Sequence, residues 1–235
     1  MRHSSGAVCI GALSLVIAIF SAAPAAGSGS GPMSTPSMGS FEKHESTREE
    51  KATNAYNSGV RLIHKADDAH ADSVKATDPA KHKKLDDRAR EYYTKAQQQF
   101  ADAVGLNASL YQAWNYLGYS KRNLGDYAGA LEAYDQALKL SPSYAEAIEY
   151  RGQAYLGLNR IDDAKEAYLA LFASNRKLAD KLLVAMKDWI GARRATPGAL
   201  EAVTVDELER WVDERARITA QTAGLTPGGT ASHWN

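Results

Sequence analysis

Side chains of matched size and polarity recur every 34 residues through the middle of this chain. Tyr93, Tyr127 and Ile161 form one such set, and Ala96, Ala130 and Ala164 a second. Phe100, Tyr134 and Tyr168 form a third, and Ala103, Ala137 and Leu171 a fourth. Gly118 and Gly152 keep the same interval, as do Trp114 and Ile148. A repeat of this length is one supersecondary unit that cannot bury its apolar face alone, so successive copies must stack on one another. Alanine, leucine, lysine, glutamate and arginine are common while isoleucine and valine are sparse, which favours helices over strands in the repeated unit.

The clearest copy reads LYQAWNYLGYSKRNLGDYAGALEAYDQALKLSPSY. Trp114 and Leu117 lie three apart on one helix face. Gly118 and Ala130 are small enough for two helices to approach closely. Gly125 and Asp126 supply a turn and an N-cap for the second helix, and Pro142 ends that helix. In this order, Trp114, Leu117, Gly118, Gly125, Tyr127, Ala130, Tyr134, Ala137 and Pro142 closely resemble the pattern of the tetratricopeptide repeat (TPR) family. The resemblance spans about residues 50 to 176. It is weaker in the following copy, where Arg151 replaces a usual leucine, Asn159 the turn glycine and Arg176 the proline. Asn tolerates the left-handed turn conformation, and the loss of proline predicts a next helix that follows closely.

The first copy departs most. Its second half matches through Tyr93, Ala96, Phe100 and Ala103, but its first half does not fit the 34-residue frame. Asp78 followed by Pro79 marks a fresh helix start, so two overlong helices are expected, over 45–76 and 79–105. Residues 177–194 carry Leu178, Leu182, Ala185 and Trp189 on one side, as a capping helix requires. Thr196-Pro197-Gly198 breaks it within the linker that opens residues 195–222. A last amphipathic helix is predicted over 205–221, with Thr204 and Glu207 as a capping box and Leu208, Trp211, Val212 and Ile218 as its stripe. The expected fold is all-α: a TPR-like solenoid of about three helical hairpins over 45–176, the first overlong, closed by C-terminal capping helices. Residues 223–235 show no periodicity and are read as a mobile tail.

The N-terminus carries a different kind of signal. Arg2 and His3 precede an uncharged apolar run to Phe20, followed by Ala22, Ala23, Pro24, Ala25 and Ala26. That layout predicts a signal peptide over 1–26, too short in its apolar part for the roughly 20 residues that span a bilayer. Export is expected: periplasmic in a host with two membranes, secreted otherwise, with no integral membrane insertion of the mature chain. Residues 27–44, rich in Gly, Ser and Pro, read as a flexible leader. The one cysteine, Cys9, lies within the signal segment, so disulfide, cysteine-zinc and thiol chemistry are not expected after it.

Little else in the chain asks for chemistry. With 28 basic and 28 acidic residues there is no net charge to draw nucleic acid, and none is expected as a partner. Lys81, His82, Lys83 and Lys84 are answered by Asp86 and Asp87. His64, Asp67, Asp68, His70 and Asp72 cluster in sequence, but no histidine pair has ligand spacing, and a solvated helix face accounts for them. Phosphate-loop, nucleophile-elbow and H-E-x-x-H motifs are absent from the sequence. No catalytic residue, metal or cofactor is assigned, and an enzyme is the reading of last resort.

The resemblance instead implies a protein or peptide partner. In TPR proteins the first helix of each unit lines a concave groove. Carried onto this chain, the family's groove positions nominate Asn115, Tyr116 and Tyr119, with Arg122 a turn further, then Glu149, Tyr150 and Gln153, with Tyr56 and Asn57 on the irregular first helix. The basic residues with which some relatives clamp a terminal carboxylate are missing. Asn115, Tyr119, Glu146 and Tyr150 stand there, leaving Arg122 to take a single acidic group. Two readings of the tyrosines stand side by side: an open recognition surface, or packing against the overlong helices. The expected function is a protein-interaction scaffold or adaptor of the cell envelope. The alternative is a structural subunit of an envelope complex that uses the convex face and the last helix, with Trp211 as anchor.

Overall fold

The computed structural model describes residues 46–195 and 202–223. The signal segment, the leader, the Thr196-Pro197-Gly198 breaker and residues 224–235 lie outside them. Eight helices follow one another in the described residues: α1 (Arg48–Lys75), α2 (Pro79–Leu106), α3 (Tyr111–Asn123), α4 (Tyr127–Leu140), α5 (Ala145–Gly157), α6 (Ile161–Ser174), α7 (Arg176–Ala195) and α8 (Ala202–Ala223). They form three hairpins, α1–α2, α3–α4 and α5–α6, with α7 packed on both α5 and α6 and α8 packed on α7. The first helices of successive hairpins also meet, α1 with α3 and α3 with α5.

Local chemistry sets the boundaries. Thr47 and Glu50 form a reciprocal capping box at the start of α1, with the Glu50 N–H donating to Thr47 Oγ1 at 3.1 Å and the Thr47 N–H to Glu50 Oε2 at 2.8 Å. Asp78 accepts from the Lys81 N–H at 2.7 Å, and Pro79 opens α2. Asp126 caps α4 through the Gly129 N–H at 2.9 Å. The turn before it needs Gly125 at φ 89°, and the equivalent turn of the next unit is carried by Asn159 at φ 59°. As the missing proline predicts, α7 begins one residue after α6 is capped at Asn175.

One contact explains why the first hairpin escapes the 34-residue frame. A Cβ on Gly118 would come within 2.6 Å of the Tyr134 ring, so only glycine lets α3 lie against that ring. Gly59 does the same for Phe100, at 2.7 Å. The two residues of the contact are 16 apart in the second hairpin and 41 apart in the first. The extra 25 residues form an arm made of the end of α1 and the start of α2. No residue from Val74 to Arg88 is buried, yet the arm is pinned near its tip: Ser73 Oγ donates to the His82 carbonyl at 3.1 Å, and His82 Nδ1 lies 2.9 Å from the Ser73 carbonyl.

Two expectations are corrected at the C-terminus. Thr204 does not cap α8, because the helix already begins at Ala202; no breaker separates the two, and alanine is the strongest helix former. Trp211 is not an outward anchor. Its ring meets Tyr168 edge to face at 5.2 Å, and Arg215 covers it at 5.2 Å. The buried stripe of α8 is Val205, Leu208 and Val212, and α7 buries Ala179, Leu183, Met186 and Ile190 besides Leu178 and Leu182. A helix held between two others needs a wider apolar face than the single side read from its sequence.

Candidate functional site

A chain of aromatic rings crosses the face formed by the first helices of the three hairpins. Tyr56 of α1 meets Tyr116 of α3 edge to face at 6.0 Å. Tyr116 also stacks on Phe100 at 5.3 Å and continues to Tyr119 at 6.5 Å. Tyr119 meets Tyr150 of α5 at 5.0 Å. Such pairs each contribute about 0.5–1.5 kcal/mol beyond the area they bury, so the rings tie three helices together as well as presenting a surface.

Polar groups are threaded through the rings. Asp67 Oδ1 accepts from the Tyr93 hydroxyl at 2.7 Å and from the Tyr119 hydroxyl at 2.9 Å, joining α1, α2 and α3. Arg122 Nη1 donates to Gln153 Oε1 at 2.6 Å, and Gln153 Nε2 donates in turn to Glu149 Oε1, joining α3 and α5. The Arg122 guanidinium lies 5.2 Å from the Tyr119 ring centre and 5.7 Å from that of Tyr150. Burial raises the Asp67 carboxyl above its ordinary value, against the opposing pull of the Tyr93 and Tyr119 hydroxyls. Burial likewise raises Glu149, opposed by Gln153 and Arg122. Burial acts to lower Arg122, but Tyr134, Tyr119 and Glu149 outweigh it and hold the guanidinium above its usual range.

The nominated groove residues therefore separate into layers. Asn57 is exposed, and Tyr56, Tyr116, Tyr119 and Tyr150 are half-buried. Asn115 and Glu149 lie beneath the surface, at 1% and 2% exposure, where helices packed on either side cover them. Arg122 is engaged with Gln153 and two rings, which corrects the expectation that it stands ready for an acidic group of a partner. Asp67 is the residue that sequence reasoning missed. It was grouped with the solvated charges, yet it lies one turn after buried Ile63, at the edge of the α1 apolar stripe. Among the described residues no group of three histidine, cysteine or acidic side chains is arranged to hold a metal. None of the described helices is long and apolar enough to cross a membrane.

A stack of helical hairpins with its first helices along one face defines the class as a helical-repeat protein. A family model described as TPR repeat matches residues 118–159. The photosystem I assembly protein Ycf3 of Synechococcus sp. (strain CC9902) is 32% identical over 132 residues, which cover 53% of this chain and 73% of that protein. Protein FlbA of Caulobacter vibrioides is 37% identical over 62 residues, 26% of this chain and 10% of that protein. The crystal structure of MamA protein aligns with 78% of this chain and 99% of its own at 18% identity and a TM-score of 0.42. The chain belongs to the tetratricopeptide repeat family, and as such it is a protein-interaction scaffold.

Proposed function

We propose that the chain is an exported, non-catalytic adaptor that holds a protein partner across the face formed by α1, α3 and α5. The observation that carries this reading is the row of half-buried tyrosines, Tyr56, Tyr116, Tyr119 and Tyr150, spanning all three helices. Tyrosine offers a large rigid contact area, a hydroxyl for directional bonding and a small entropy cost on binding, which suits it to recognition. Similarity to a protein named for photosystem assembly supports an assembly or chaperoning type of role, in which a partner is held and released. Export rests on the charge and apolar pattern of residues 1–26.

A photocrosslinking amino acid at exposed Asn57 tests the face without disturbing packing, with the same group at exposed Leu169 on α6 as its outward control. A specific adduct from Asn57 and none from Leu169 is expected. The reverse pattern would move the partner to the outer surface. N-terminal sequencing of the protein from its host is expected to begin between Ala23 and Gly27; an intact Met1 would remove the export proposal.

A further inference from the structure

Two clusters of tyrosine and carboxylate lie along this face, and the described residues supply a cation to only one of them. In the first, Arg122 lies against Tyr119 and Tyr150 and is linked through Gln153 to Glu149. The second lies about one turn nearer the start of α3 and α5. There Tyr56 and Tyr116 meet edge to face at 6.0 Å, Tyr111 and Tyr144 at 5.0 Å, and Glu146 stands in the first turn of α5.

These groups are within electrostatic reach of one another. Burial first, and then Glu146, Tyr116, Tyr56 and Tyr150, raise the Tyr144 hydroxyl above its ordinary value. Burial, then Asp67 and Glu146, do the same to Tyr116. Burial, then Tyr116 and Tyr111, push Tyr56 up to about 12. Among the described residues no lysine or arginine pairs with Glu146, and none forms a hydrogen bond with the hydroxyl of Tyr56, Tyr116 or Tyr144. Asn115, one turn from Tyr111, lies beneath the cluster at 1% exposure, and its Oδ1 has no hydrogen-bond partner among the described residues.

The cluster offers ring faces, hydroxyl oxygens and a carboxylate. An anion would be repelled by Glu146 and Asp67, and an apolar group would leave Glu146 unanswered. A cation is drawn by both the rings and the carboxylate. The helix dipole accounts for an acidic residue in the first turn of α5, but not for the tyrosines gathered about it. Resting on the partner-holding face described above, we propose that Tyr56, Tyr116, Tyr144 and Glu146 seat a basic side chain, arginine or lysine, of the bound protein.

The test uses the full chain with butylguanidinium and butylammonium as side-chain probes and pentan-1-ol as a neutral control, read by the assigned tyrosine ring resonances. Both cations are expected to shift the Tyr56, Tyr116 and Tyr144 rings saturably, and the alcohol is not. Glu146→Gln, which keeps the size of the side chain, is expected to weaken the cations about fivefold with unchanged circular dichroism. Unmoved rings, equal shifts with pentan-1-ol, or equal affinity in Glu146→Gln would each overturn the seat. The Asn57 crosslink separates the two readings. A partner captured equally by wild type and Glu146→Gln keeps the face and removes the seat, whereas loss of any Asn57 adduct removes the face itself.

Discussion

The two ends of the solenoid are built from different materials. Around α1, α2 and α3 the core is alanine with Tyr93 and Phe100, flanked by half-buried Tyr56, Tyr116 and Tyr119, and it encloses Asp67. Around α6, α7 and α8 it is mainly aliphatic, with Leu171, Leu178, Leu182, Leu183, Met186, Ile190, Val205, Leu208 and Val212 gathered about one buried ring, Tyr168, against Trp211. The aliphatic end does one thing, which is to close the stack, and it does so by burial that is indifferent to direction. The aromatic end does two. Its rings and hydroxyls hold three helices in register, and half-buried Tyr56, Tyr116 and Tyr119 also leave part of their surface on the face where a partner would lie.

The difference is easiest to break at the aliphatic end. Leu182 is fully buried, and Leu182→Ala is expected to cost about 2–5 kcal/mol. Because each unit of a solenoid rests mainly on its neighbours, hydrogen exchange should rise in α5 to α8 while α1 to α3 stay protected. Equal loss at both ends would show one cooperative body. Next in size is Asp67→Ala, expected to cost about 1.5–3 kcal/mol by leaving two hydroxyls without their shared acceptor. Thermal denaturation measures this directly. The smallest change is Tyr119→Phe, which removes one of those donors, keeps the ring, and should cost about 1 kcal/mol.

Acidity sharpens the same contrast. Asp67 and Glu149 are both held above their ordinary values, so the folded chain binds the proton more tightly than the unfolded one. Their contribution to stability is therefore full below the unfolded carboxylate range and is lost as pH rises through the folded value. Asp67→Asn keeps an oxygen for both tyrosines and abolishes the titration. Relative to wild type it is expected to fare better at about pH 7 than at about pH 4, by melting temperature. The opposite order would mean that the hydroxyl bonds outweigh burial.

The repeat was legible because its residues answer to immediate neighbours: Gly118 to Tyr134, and Asp126 to the Gly129 N–H. Both overlong helices were visible from Asp78-Pro79 and from the broken frame, to within three residues at each boundary. The candidate site was legible only by position. Family spacing nominated Tyr116, Tyr119 and Tyr150, which lie on α3 and α5, but spacing carries no depth. Whether Asn115 is covered or Arg122 engaged depends on the helix packed alongside. Asp67 shows the same limit. Its Oδ1 serves both Tyr93, 26 residues away, and Tyr119, 52 residues away, and nothing near it in sequence announces either.

The arm at the end of the first hairpin has a mechanical consequence. Past Asp67, which bonds Tyr119 of α3, α1 runs on to Lys75, a reach of about 12 Å. It is a cantilever, rooted where Tyr119 meets Asp67 and Tyr93. A tilt of about 10° at that root swings the tip by about 2 Å over such a length. Any event at the face that changes how α1 lies on α3 is thus amplified at a distance, and the Ser73–His82 pin makes both helices move as one beam.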